Sequence, residues 1–188
     1  MPTSLVILGV VVVIGLWLIV TYNRLVSLRN RTENGWKQID VQLKRRHDLI
    51  PNLVNAVKGA MEFERGTLTQ VLEARARAQA ATTPADSARK EGELTQALGR
   101  LFALAESYPV LKSNDNVKML QEELASTENK IGFARQFYND VATAFNITQQ
   151  KFPANLVAGP LGFKAAELFE VTEEAERAVP QVDLSTSK

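Results

Sequence analysis

From Leu5 to Val20 the run LVILGVVVVIGLWLIV carries no charged or amide side chain. With Thr21 and Tyr22 it makes a helix of roughly 27 Å, about one hydrocarbon core, and predicts a membrane span. A cleaved secretory signal would need a basic start and a small-x-small cleavage site. Pro2, Thr3 and Ser4 are uncharged and no such site follows. Apolar positions then continue at helical spacing through Leu25, Leu28, Thr32, Trp36, Ile39 and Leu43, so the span is expected to run on into the first helix of a bundle. Pro51 cannot donate to a helix ladder and disfavours the α region for Ile50, which predicts a kink or restart. A second stripe follows through Leu53, Val57, Met61, Leu68, Val71 and Leu72 and fades into alanines by Ala81. Glu64 falls on that stripe, where an arginine from a neighbouring helix, such as Arg135, is the expected partner.

Thr83-Pro84-Ala85-Asp86 is a helix start: Thr caps, Pro suits the first helical position and the acid complements the dipole. The stripe Leu94, Leu98, Leu101, Ala105 follows, ending at Tyr108-Pro109. Ser113, Asn114 and Asp115 supply the cap for a further helix with the clearest period in the chain. Its seam is Val117, Leu120, Leu124, Thr127, Ile131, Ala134, Tyr138, Val141, Phe145 and Thr148, alternating steps that face partner helices along the whole length. Phe152-Pro153 stops it. The remainder carries Gly159-Pro160, Gly162 and Pro180 and leans acidic through Glu167, Glu170, Glu173, Glu174, Glu176 and Asp183, yet keeps apolar anchors at Leu161, Phe163, Leu168, Phe169 and Val171. The pattern predicts an all-α protein: a transmembrane anchor over 1–23, an antiparallel bundle of about four long helices over 24–153 and an irregular acidic tail over 154–188.

Composition narrows the chemistry. Lys and Arg number 22 against 21 acids, for a net charge of +1, which argues against a general nucleic-acid binder. The chain has no cysteine and a single histidine, so it has no disulfide framework, thiol nucleophile or thiolate metal site. A dinuclear carboxylate site in a helical bundle needs Glu-x-x-His pairs, but His47 has Lys44 three residues before it. No phosphate loop or nucleophile elbow is present. The expectation is a non-enzymatic protein with no catalytic, cofactor or metal residues; His47 reads as a polar edge or capping residue, and Glu73, Arg75 and Arg77 as a solvated mixed-charge face.

Binding features remain. Arg24, Arg29 and Arg31 follow the span closely while no charge precedes it. This is the positive-inside pattern of a single-pass membrane protein, with its N-terminus expected outside and the rest cytoplasmic, and the three cations can meet anionic lipid. Lys44, Arg45 and Arg46 form a candidate partner-facing strip. Phe133 and Phe137 lie off the seam, one turn apart and beside Gly132, and are candidates for a second contact, with the tail or with another protomer; with Leu161, Phe163, Leu168 and Phe169 they are candidate oligomer contacts. Tyr22-Asn23 with Asn30 is echoed by Tyr138-Asn139 with Asn146. Asparagines seven apart share a helix face, so Asn23, Asn30, Asn139 and Asn146 are candidate buried register amides.

Several motifs combine along most of the chain: Tyr22-Asn23 and Leu25-Val26, Arg29-Asn30, Trp36, the run from Gln38 to Arg46 into Asp48-Leu49-Ile50-Pro51-Asn52-Leu53, Ala74-Arg75, Tyr108-Pro109-Val110-Leu111-Lys112, Leu120-Gln121-Glu122-Glu123-Leu124, Ala134-Arg135-Gln136-Phe137-Tyr138-Asn139, Asn146 and Phe152-Pro153. In these the chain resembles the LemA family of bacterial and archaeal membrane proteins. The resemblance implies a cytoplasmic bundle behind one anchor and no known activity. Some such proteins are associated with intracellular membrane compartments in magnetosome-forming bacteria, which favours a scaffold. Gly35 stands where the family leads one to expect an alanine-like residue, and is expected to loosen that turn. The expected function is a membrane-anchored scaffold that self-assembles through bundle and tail and organises or remodels the membrane. Its partners would be lipid and further copies of itself, with no nucleic acid and no cofactor. The alternative is an adaptor or regulator of another membrane protein, such as a protease.

Overall fold

The computed structural model describes residues 2–61 and 64–170. The described residues are helical, without strands, in the order α1 (Pro2–Lys58), α2 (Arg65–Gln79), α3 (Pro84–Ala105), α4 (Pro109–Lys112), α5 (Asp115–Gln150) and α6 (Asn155–Ala158). The apolar N-terminal run and the first bundle stripe form one 57-residue helix, roughly 85 Å long. Its N-terminal part has a mean hydropathy of 2.8 over an 18-residue window, none of it buried by the protein.

The helix does not restart at Pro51: α1 continues through it and ends at Lys58, before Gly59. The missing Pro51 N–H would have bonded the carbonyl of His47. Instead Arg75, on α2, donates its Nε to that carbonyl at 2.6 Å. A side chain from a neighbouring helix therefore replaces the lost ladder bond.

α5 lies antiparallel along α1, with Leu25 and Phe145 in one apolar cluster, the Trp36 and Tyr138 rings 5.7 Å apart and Arg45 bonded to Glu123. Its buried positions follow the predicted seam, except that Ala142 rather than Val141 is fully covered. Asn114 caps α5 by accepting from the N–H groups of Asn116 and Val117, and Thr83 caps α3 by accepting from Asp86 N–H. α2 and α3 form a hairpin against the half of the α1–α5 pair remote from the span. There Ile50, Leu53, Val57, Leu68, Val71, Leu94, Leu98 and Leu101 make the main core. This half is an up-down-up-down bundle.

At Gly35 α1 and α5 approach closely. A Cβ there would sit 3.3 Å from the Tyr138 Cα. The glycine tightens the crossing where the sequence suggested a loosened turn.

Nearer the span the hairpin is absent and the tail takes its place. After α6, Gly162 adopts φ +78°, a left-handed conformation open to glycine, and Phe163 N–H bonds back to Ala158 O at 3.0 Å. This turn sends residues 163–170 back along the groove between α1 and α5. Phe163 is buried with Leu25, Phe145 and Ala158. Phe169 is 1% exposed, sharing a cluster with Tyr138 and with Ala88 of α3. Tail and hairpin thus meet beside Trp36 and together cover one side of the long helix pair. Val171 and the acidic positions from Glu173 to Asp183 lie outside the described residues.

Candidate functional site

Three arrangements rise above ordinary packing. The first is a buried polar node. Arg46 and His47 follow Leu43 on the inward side of α1 and meet Glu91 of α3, whose side chain is only 6% exposed. Glu91 Oε2 accepts from Arg46 at 3.1 Å and Oε1 lies 2.6 Å from His47 Nε2. Arg46 also donates to Thr95 Oγ1 at 2.7 Å and reaches Glu128 of α5 at 3.1 Å. Both oxygens of the Glu91 carboxylate are engaged and Arg46 ties three helices together. Such a node specifies register more than it adds stability, because desolvation offsets most of the attraction.

Arg46 is therefore no part of a partner-facing strip. Lys44 and Arg45 are exposed, Arg45 being paired with Glu123. His47 is a buried partner of Glu91, not an edge residue, and Arg75 is a half-buried donor to backbone, not a member of a solvated face. Glu64 is not paired with Arg135 in the way expected: it accepts from the Tyr108 hydroxyl at 3.3 Å, while Arg135 lies over the Phe169 ring, 4.8 Å from its centroid. Sequence reasoning overlooked Glu91, Thr95 and Glu128. Glu91 did carry a signal, an acid three residues before Leu94 on the α3 stripe.

The second arrangement holds the tail. Asn139 accepts from Phe169 N–H at 2.9 Å and donates to Phe169 O at 3.2 Å. One face further along α5, Asn146 accepts from Ala166 N–H at 2.8 Å and donates to Ala166 O at 2.9 Å. Each amide treats the tail as a neighbouring strand would, satisfying both polar groups of one residue. Tyr138 adds a hydroxyl bond to Glu167 O at 2.6 Å; burial, followed by the Glu167 charge, pushes its phenol above the usual range. Asn139 and Asn146 thus fix the tail rather than helix register. Asn23 and Asn30 are exposed on the protein surface and belong to no such pair. Phe163 and Phe169 are buried within their own chain, which takes them off the surface where the sequence placed oligomer contacts, while Leu168 is half-buried.

The third arrangement is a groove on the opposite side of the α1–α5 pair, away from both hairpin and tail. Val41, Gln42 and Ala134 form its floor and walls with Phe133 and Phe137, and Lys37 and Lys130 flank it, enclosing about 630 Å³. Phe133 is 74% exposed. Gln42 Oε1 is buried at this groove with no hydrogen-bond partner. Gly132, on the neighbouring turn, has nothing within reach of a Cβ. Arg24, Arg29 and Arg31 are exposed just beyond the span, with Arg29 paired to Glu33 and lying over the Phe163 ring. Among the described residues no group of acidic or histidine side chains is arranged to hold a metal ion.

The LemA family model matches residues 35–184. The chain belongs to the LemA family. Magnetosome protein MamQ 2 of Paramagnetospirillum magneticum is 28% identical over 179 residues, covering 81% of this chain and 66% of that protein. Magnetosome protein MamQ of Magnetospirillum gryphiswaldense is 25% identical over 178 residues, covering 81% of this chain and 65% of its own length. Protein LemA of Metamycoplasma hominis is 26% identical over 170 residues, covering 88% and 74%. The chain thus spans just under two thirds of the length of the MamQ relatives. LemA membership and the apolar N-terminal helix make it a membrane-associated protein. The polar node, the tail clamp and the outer groove all fall within the LemA match, and the apolar run of α1 lies before it.

Proposed function

We propose that the protein is a non-enzymatic, membrane-anchored scaffold whose copies associate through the outer groove of the α1–α5 pair to organise the membrane that holds them. The N-terminus faces outward and the bundle stands in the cytoplasm, in keeping with the cations that follow the span and the lack of any before it. The observation that carries this reading is the uncovered side of the helix pair: Phe133 is 74% and Val41 62% exposed around a buried, unpaired Gln42 oxygen. A contiguous exposed apolar patch is the mark of a surface that is covered in use. Two relatives carry the magnetosome in their names, which supports a role at a shaped membrane. A single anchor bends a bilayer little, whereas coupled copies impose their geometry on it.

The chain lacks cysteine, so cross-linking gives a clean test. Phe133→Cys in native membranes should yield disulfide-linked dimers, and Arg100→Cys on the hairpin side should not. Equal yields at the two positions, or none at either, would count against assembly through this face. Cross-links from Phe133→Cys to a different polypeptide would favour the adaptor.

A further inference from the structure

The span and the turn that ends α5 lie at the same level. Phe145 packs on Leu25, and the five residues onward to Gln150 carry α5 about 7.5 Å toward the membrane, as far as five residues back along α1 carry it to Val20. Residues 151–162 therefore lie beside Thr21 and Tyr22, at the end of the apolar run. Phe163, which closes this turn, has its ring 5.9 Å from that of Tyr22. On this side of α1 Thr21, at the end of the run, is buried and Trp17, one turn earlier, is half-buried. The run from Leu5 to Tyr22 is about 27 Å long against a hydrocarbon core of about 30 Å, so none of it can be spared to stand in water.

The turn is built inside out for a protein facing water. Ala154 and Ala158 are buried against the bundle, while Phe152 is 80%, Leu156 63% and Leu161 47% exposed. Small residues thus occupy the protein side and large apolar ones the outer side. Lys151 and Lys164 flank them, and Arg24 stands on the adjoining turn of α1, all exposed. Apolar side chains at the level of the acyl boundary with cations around them are the pattern of a segment lying in the membrane interface.

We propose that residues 152–161 form a second membrane contact, in which Phe152, Leu156 and Leu161 enter the lipid interface beside the span. The bundle is then held at two points, and the direction in which α1 leaves the bilayer is fixed. Because the occupant is lipid, this contact does not depend on copies of the chain associating.

The test uses the full chain in vesicles of phosphatidylcholine and phosphatidylglycerol. A polarity-sensitive fluorophore is attached at Leu156→Cys, at Leu161→Cys and, as a control, at Val110→Cys, which is also an exposed apolar position but lies at the far end of the bundle. Nitroxide-labelled lipids serve as quenchers. The two turn labels should emit to the blue and lose most of their emission to lipid nitroxides, while the Val110 label emits as in water and is unquenched. Water-like, unquenched emission at both turn positions overturns the proposal. Blue emission without lipid quenching overturns it as well, since protein rather than lipid would then cover the turn.

Discussion

The carbonyl of His47, orphaned by Pro51 four residues later, accepts from Arg75 Nε at 2.6 Å. This bond lets a proline stand inside a 57-residue helix and pins α2 to α1 at the same point. Arg75→Ala should cost about 2 kcal/mol, the usual range for a hydrogen bond from a charged donor to a buried acceptor. In a Pro51→Ala background, where the N–H is restored to His47 O, the same change should cost about half as much. Thermal unfolding of the four chains in detergent, followed by circular dichroism, measures the coupling. Equal costs in both backgrounds would show that Arg75 acts elsewhere.

The Arg46–Glu91 pair should behave as a buried tie. Glu91→Ala leaves His47 without its carboxylate and Arg46 with Glu128 as its remaining acid, and should cost about 3 kcal/mol, a fall in Tm of roughly 10 °C. Exchanging the trio together, Arg46→Met, His47→Leu and Glu91→Leu, should return most of that stability. A triple variant as unstable as the single one would contradict the view that the node serves register.

The tail clamp predicts a residue-specific pattern of amide exchange. Asn139→Leu should speed exchange at Phe169 N–H by about 30-fold, the loss of about 2 kcal/mol of local protection. Asn139→Asp, which keeps the acceptor, should leave that amide protected. Ala166 N–H should respond in the same way to changes at Asn146.

Stability should fall at both ends of the pH scale. In the folded chain burial, and then Glu167, raises the Tyr138 phenol above its usual value of 10.0. A raised folded pKa contributes stability that is complete below the unfolded value and lost as pH rises past it. Tyr108 adds to this in the same direction, through burial and then Glu64. Tm should therefore drop above about pH 10, and Tyr138→Phe should weaken that drop without abolishing it. Asp86 is held below its usual 3.8 by the Lys90 and Arg89 bonds, so its share is present above that value and is lost as pH falls through the folded one.

Much of this fold is legible from spacing. The α5 seam and the Thr83 and Asn114 caps depend on residues within a turn or two of each other, and the period reports them directly. The continuity at Pro51 does not, because its cause is an arginine 24 residues on, reading as one of several surface charges until α2 folds against α1. The node is hidden for the same reason: Arg46 looks like its neighbours Lys44 and Arg45 until Glu91 supplies a partner. The paired asparagines stand out in the chain, but their partners are backbone groups of an extended tail, which leaves no hydrophobic period to read. Phe133 and Phe137 follow most directly, since both lie off the seam and both keep exposed surface among the described residues.

Association through the outer groove is the central claim, and the mass of the purified full-length particle tests it most directly. In mild detergent, without a partner, the protein should form dimers or larger assemblies, and Phe133→Ser with Phe137→Ser should reduce them to single chains while the helical content is unchanged. Wild-type protein with the mass of one chain, or assemblies that keep their size in the double variant, would contradict it.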